Sequence, residues 1–323
     1  MARREPLTFV TVVFEPEVPL LRLQARSLQR FLDPASAAEL LVLDNCAGGM
    51  SRRSRRRILG ELGPTLAART EILRTEDLGV DRGARGWRSQ QAAKLLISRR
   101  IRTAHSVVLD AKNHLIGPAR LADFVDDEGR ARGGTHSYEA HPLREGLERT
   151  LRYLGADDAA VARQRADFPR TVTPFVLDTA IVRRMLDDVE RTSGRPFAEE
   201  FERARLLEFF LYSGWSILKG DGVPVDGTRI DAPIVWPRLA TLEGVEGVIA
   251  EARAHGSSWF AVHRRVLARA DARGRRRLEE LWVASDLMAP AEAARFTRRF
   301  RLGYAPAVAR ARLGERLARL QGG

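Results

Sequence analysis

Three short apolar runs, Leu7–Phe14, Glu39–Asp44 and Ser106–Asp110, and the short strand-like segment Glu71–Arg74 alternate with stretches whose apolar residues recur at helical spacing. In Glu17–Phe31 the apolar residues Leu20, Leu21, Leu23, Leu28 and Phe31 mark one stripe, and Arg52–Leu62 and Trp87–Arg102 read as further helices. A short, nearly uninterrupted apolar run is a strand buried on both faces. Strand, helix, strand, helix, strand, helix, strand then predicts an α/β fold, a mostly parallel sheet flanked by helices. The pattern weakens between Ile116 and Arg170, where short helices and charged loops are expected. A strand at Thr171–Leu177, a helix from Thr179 to about Arg191, a long helix over Phe197–Ile217 and a last strand at Thr228–Val235 follow. From Leu242 onward short basic helices dominate. The expected organisation is an α/β domain over residues 1–237 and a mainly helical, basic C-terminal extension over 238–323.

The chain has 323 residues, 44% of them hydrophobic, enough for a substantial core. No stretch approaches the roughly 18–20 apolar residues of a membrane-spanning helix. The N-terminus lacks the apolar core of a signal peptide, and a single cysteine, Cys46, excludes an internal disulfide framework. A cytoplasmic location is expected. Lys and Arg number 54 against 42 acids, a net charge of +12. Such a surface attracts nucleic acid, anionic membrane or phosphorylated small molecules. No nucleic-acid-binding motif is present, so no specific nucleic-acid partner is expected.

The residues that could carry chemistry sit where apolar runs stop. Val107-Val108-Leu109 ends in Asp110-Ala111-Lys112-Asn113-His114. A strand-end aspartate is the minimum for holding Mg²⁺ or Mn²⁺ against a diphosphate. Lys112 lies two residues on and, in an extended strand, shares the face of Asp110. It either supplies positive charge where a metal would sit or pairs with Asp110, and Asn113 and His114 offer further ligands. Asp44-Asn45 ends the second run, in position to bond a ribose or to start a turn. Gly79, Gly83 and Gly86 lead into Trp87, Arg88, Gln91 and Lys94, a turn before a helix N-terminus that can meet an anion, with Arg88 and Lys94 adding charge. Glu208, inside Leu206-Leu207-Glu208-Phe209-Phe210, is expected to be desolvated, which raises a carboxyl pKa toward that of a general base. His263 ends the apolar run Trp259–Val262.

In order along the chain, Phe9–Phe14, Gly86–Leu95, Val108–His114, Thr173–Leu177, Glu208–Tyr212 and Val262–Arg265 resemble the GT-A glycosyltransferases, closest to a little-characterised bacterial branch tied to surface polysaccharide synthesis. The resemblance implies a nucleotide-diphosphate sugar as donor and a glycan or lipid-linked acceptor. It implies that Phe14 and Asp44 line the base and ribose pocket, and that Asp110 stands where the first acid of Asp-x-Asp meets diphosphate and metal. By it Glu208 matches the acceptor base of inverting members, and His263 a late metal ligand beside Asp110. Lys112 replaces the second acid, leaving Mn²⁺ or Mg²⁺ dependence open. The expected function is sugar transfer, with Asp110, Lys112 and Glu208 as catalytic residues. Phe14, Asp44, Trp87, Arg88, Gln91, Lys94 and Asn113 are the expected donor contacts. The basic C-terminal helices are expected to touch an anionic membrane peripherally. The alternatives are a catalytically degenerate nucleotide-sugar-binding protein of the same fold and a basic nucleic-acid-binding protein.

Overall fold

The structure, a computed structural model, describes residues 5–80 and 87–321, with side chains as far as residue 313. Its strands are Leu7–Val13 (β1), Ala37–Asp44 (β2), Thr70–Arg74 (β3), His105–Asp110 (β4), Asn113–Leu115 (β5), Thr135–His136 (β6), Phe168–Pro169 (β7), Phe175–Asp178 (β8), Ile234–Val235 (β9) and Trp259–Val262 (β10). Its α-helices are Val18–Phe31 (α1), Arg52–Ala67 (α2), Trp87–Leu96 (α3), Arg144–Tyr153 (α4), Asp158–Ala166 (α5), Thr179–Ser193 (α6), Phe197–Arg203 (α7), Glu208–Lys219 (α8), Leu242–Ala254 (α9), Arg264–Arg269 (α10), Ala272–Ala284 (α11) and Pro290–Gln321 (α12). Five strands form a mostly parallel sheet in the order β3-β2-β1-β4-β8, flanked by helices. Every residue of β1 is buried, as an uninterrupted apolar strand requires. Among the described residues no helix is long and apolar enough to cross a membrane.

By internal contacts the chain divides into two compact units, neither continuous in sequence. The first comprises Met1–Val12, Leu73–Leu109 and Leu121–Ile230; the second comprises Val13–Ile72, Asp110–Arg120 and Asp231–Gly323. In the first unit β8 runs antiparallel to β4, with Val107 opposite Val176. The Asp178 carboxylate caps α6 by accepting the Ile181 N–H at 2.9 Å, and Gly194, at φ 66°, ends the helix. A core of Tyr138, Leu147, Leu151, Val161, Phe168, Leu207 and Phe210 forms beneath α4, α5 and α8. In the second unit β10 pairs antiparallel with β5 and parallel with β9. The α1 stripe is buried at Leu20, Leu21, Leu23 and Leu28, the positions its spacing marks.

Several sequence expectations need correction. The run Phe197–Ile217 is not one helix: α7 stops at Arg203, Arg205 adopts φ 54°, and α8 restarts at Glu208 after an extended Leu207. The break inserts Leu206 and Leu207, 0% and 6% exposed, into the interior, so burial decides against helical continuity. The helix from Trp87 ends at Leu96 rather than Arg102, passing into a 3₁₀ turn over Ile97–Arg99. The strand expected at Thr171–Leu177 starts only at Phe175, after a proline that has no N–H to give to a ladder. The Thr228–Val235 strand contracts to Ile234–Val235. Helix α2 continues past Leu62 through a kink at Gly63, whose φ of 67° and ψ of 173° only glycine adopts readily.

Candidate functional site

In the second unit a tight turn, not a continuing strand, follows Asp110. Ala111 and Lys112 form the turn, and β5 begins at Asn113. The turn is pinned from within. The Asn113 side-chain oxygen accepts the Asp110 N–H at 2.8 Å, and the Gln24 amide donates to the Asp110 and Asn113 carbonyls at 2.8 and 2.9 Å. Asn113, fully buried, is therefore the brace of the turn. Lys112 shares a face with Asp110 because the turn folds it back, and its ammonium donates to the Asp110 carboxylate. The same ammonium lies 5.8 Å from the centroid of the Trp236 ring.

A second pair accompanies the first. Glu17 closes the 3₁₀ turn after β1, and its carboxylate accepts from the Arg264 guanidinium at 2.7 Å. Arg264 in turn lies 4.8 Å from the Phe14 ring centroid. Burial raises the Glu17 pKa above the usual carboxylate range; Arg264 and Lys112 pull it down, and the Asp110 charge pushes it further up. Glu17, Asp110, Lys112 and Arg264 are thus one electrostatic group of two acids and two bases, with Phe14 and Trp236 offering ring faces. Trp236 is 40% exposed, with the His263 ring centroid 5.9 Å from its own. Cations beside partly exposed aromatic rings suit a phosphate and a planar base.

Two histidines of this unit, His263 and His114, are structural in their bonding. His263 caps α10, its Nδ1 accepting the Arg265 N–H at 3.1 Å, and burial with Arg264 and Lys112 nearby pushes its pKa down to about 4. His114 is buried with a pKa lowered to about 4 by desolvation. Its Nε2 accepts the Trp282 indole N–H at 3.0 Å, and Nδ1 lies 3.3 Å from the Lys112 carbonyl. Both nitrogens are engaged, so His114 is not the further metal ligand that the sequence offered. Among the described residues no three His, Cys, Asp or Glu side chains converge on a cation position. Asp110 is bonded to Lys112, so its carboxylate is held by an ammonium. Asp44, fully buried, accepts from the Cys46 and Met50 N–H groups at 3.0 and 2.6 Å and from Arg55 at 3.2 Å. Its carboxylate builds the loop after β2.

In the first unit α3 and the start of α8 assemble another cluster. Lys94, 7% exposed, donates to Glu208 Oε1 at 3.2 Å and lies 5.5 Å from the Phe209 ring centroid. With its amide oriented to satisfy both neighbours, Gln91 donates to Glu208 Oε2 at 2.5 Å and accepts the Trp87 indole N–H at 3.2 Å. Glu208 is 8% exposed, so the expected desolvation is present, together with a compensating cation. The Trp87 ring is 59% exposed, and Arg88 lies 3.6 Å from Glu202. Gly79, at φ 80°, ends the preceding 3₁₀ turn; Gly83 and Gly86 lie outside the described residues. Lys94 is thus committed to Glu208, not presented as an open phosphate contact.

Sequence reasoning overlooked Glu17, Arg264 and Trp236. Each had a faint signal: an acid three residues past the Leu7–Phe14 run, a base beside His263, and a tryptophan after the Ile234-Val235 pair.

Residues 25–223 match the model of DUF6492, a family of unknown function. No curated protein sequence matches the chain. Among solved structures, an active-site mutant of LgtC is similar with a TM-score of 0.50 at 14% identity, over 86% of this chain and 96% of that one. Galactosyltransferase LgtC with donor and acceptor sugar analogs gives 0.41 at 12% identity, over 86% of this chain and 100% of that one. The apo glycosyltransferase GlyE of Streptococcus pneumoniae TIGR4 gives 0.40 at 11% identity, over 93% of this chain and 64% of that one. At such identities the likeness to the first is one of fold.

Proposed function

The chain belongs to the DUF6492 family of unknown function, and from the geometry of its second unit we propose that it is a glycosyltransferase using a nucleotide-diphosphate sugar. The observation that carries this reading is the pairing of Lys112 and Arg264 with Asp110 and Glu17 against the Phe14 and Trp236 rings.

Sugar transfer leaves growing negative charge on the departing diphosphate, and fixed cations in a partly desolvated site meet it best. Lys112 and Arg264 take that role, their side chains 14% and 25% exposed and each held by one carboxylate. Phe14 and Trp236 take the base or ribose. Asn113 sets the turn that presents Lys112, and Asp44 shapes the loop after β2. Glu208 is proposed, from its own burial and partners, as the acceptor base if transfer inverts the anomeric centre. Lys94 and Gln91 hold its carboxylate in one rotamer. The acceptor is a glycan or lipid-linked saccharide of surface polysaccharide synthesis, a role that rests on the resemblance read from the motifs. No step is routed through a metal.

One observation favours a second reading, a nucleotide-sugar binder without turnover. Lys112, Arg264 and Lys94 are all satisfied by carboxylates of their own unit. Calorimetric titration with UDP-, GDP- and CDP-sugars in EDTA, then in Mn²⁺, followed by assay of nucleoside diphosphate release with candidate acceptors, separates the two. Binding with release supports the transferase; binding without release supports the inert binder. Failure of every donor to bind sinks both.

A further inference from the structure

A cavity of about 350 Å³ in the second unit opens between α1, α2 and α12. Its rim is cationic, with Arg22, Arg57, Arg295 and Arg299, and its floor includes Leu23, Phe296 and Phe300. The two carboxylates in its lining, Glu61 and Glu292, are already engaged. Glu61 accepts from Arg22 and Arg26, and Glu292 pairs with Arg26 at 2.6 Å. Each of Arg57, Arg295 and Arg299 lacks a carboxylate within ion-pair distance among the described residues. Arg57 is crowded by other cations instead: Arg53, then Arg22 and Arg299, pull its pKa below its usual value. Five arginines against two carboxylates leave the lining net cationic, which raises the free energy of the empty site, and an anion relieves it.

The floor narrows the kind of anion. Leu23 and Phe300, 2% and 3% exposed, close the base of the cavity, and the half-buried Phe296 is the apolar face left accessible above them. Phe296 is wedged between Trp282 and Phe300, with ring centroids 5.4 and 6.3 Å away, so the apolar surface is firmly positioned. A bare phosphate would use the guanidinium rim and leave this floor idle. A phosphate ester on an apolar chain uses both, because guanidinium forks match phosphate oxygens and apolar surface leaves water. We propose that this cavity binds a phosphate ester carried on an apolar chain, with Arg57 and Arg299 on the phosphate and Phe296, over the base formed by Leu23 and Phe300, against the chain. The assignment is independent of the transferase reading and uses none of its residues.

The test is calorimetry on the full chain with dihexanoyl phosphatidic acid below its aggregation concentration, with dihexanoyl phosphatidylcholine and inorganic phosphate as comparators. Saturable binding of the phosphatidic acid is expected, with both comparators at least tenfold weaker. The double substitution Arg57→Gln/Arg299→Gln should weaken that binding roughly 10–100-fold, the scale of losing charge-assisted hydrogen bonds. The ligand-free Tm should not fall, because neither arginine loses a carboxylate partner; a merely structural role would lower it. Arg301→Gln, an exposed arginine of α12 outside the cavity, should leave binding unchanged. Three results overturn the proposal: no saturable binding, inorganic phosphate binding as tightly as the lipid, or Arg301→Gln costing as much as the double substitution.

Discussion

At the scale of single residues, Lys112 and Arg264 are the side chains on which the functional reading turns. Replacing either by Met removes one charge-assisted contact to a diphosphate, which is worth about 1.5–3 kcal/mol. Nucleoside diphosphate affinity should therefore fall by roughly tenfold to a hundredfold, measured by calorimetry; an unchanged affinity in both variants places the phosphates elsewhere. His114 makes a separate prediction about acid stability. Its pKa is about 4 in the folded chain against 6.5 for a free histidine, so folding favours the neutral ring. That contribution is complete above pH 6.5 and is lost as pH falls from there toward 4. Its full size is on the order of 3 kcal/mol. His114→Gln keeps a polar group beside Trp282 but cannot titrate, so urea midpoints compared at about pH 7 and pH 5 should show a flatter decline than the parent. An identical slope in the two proteins removes His114 as a source of acid sensitivity. The sequence made Asp110 and Lys112 conspicuous because an apolar strand ended on them. It hid Arg264 and Glu17, because their partnership joins residues 247 positions apart.

At the scale of elements, local pattern and burial agree for most of the sheet and part company at breaks. The stripes of α1 and the apolar runs of β1, β2 and β4 were readable because packing there obeys the periodicity. The break between α7 and α8 was not, since Leu206 and Leu207 continue a helical pattern while their burial requires an extended turn. The break matters for chemistry. It puts Glu208 in the first turn of α8, where unsatisfied N–H groups favour a negative charge. The antiparallel direction of β8 was also hidden, because strand direction depends on the path of the connection, which periodicity does not report. Helix α2 gives the test at this scale. Gly63 sits at φ 67° and ψ 173°, and a Cβ there would come within 2.6 Å of the Gln29 side chain. Gly63→Ala should destabilise the protein by about 1–3 kcal/mol, read from urea unfolding, and a neutral result would mean the kink is not held at that conformation.

At the scale of the whole molecule, the net charge of +12 sets long-range attraction for anionic ligands without choosing among them. On the proposed reading, choice comes from paired local features: cations with ring faces around Phe14 and Trp236, and cations over an apolar base beside α12. Composition announced the first property and could not locate the second. The LgtC-like fold was legible as α/β alternation, whereas the carboxylates that hold Lys112 and Arg264 became visible only in three dimensions. If the second unit accommodates a diphosphate through these two cations, binding should survive removal of divalent metal. The decisive measurement is calorimetric titration of UDP, GDP and CDP into the full chain in EDTA, repeated with Lys112→Asp and then with added Mn²⁺. The account predicts that at least one nucleotide binds the parent in EDTA. It predicts that Lys112→Asp weakens that binding at least tenfold, with partial recovery when Mn²⁺ supplies the missing charge. Binding that is indifferent to Lys112→Asp, or absent in the parent for all three nucleotides, contradicts it.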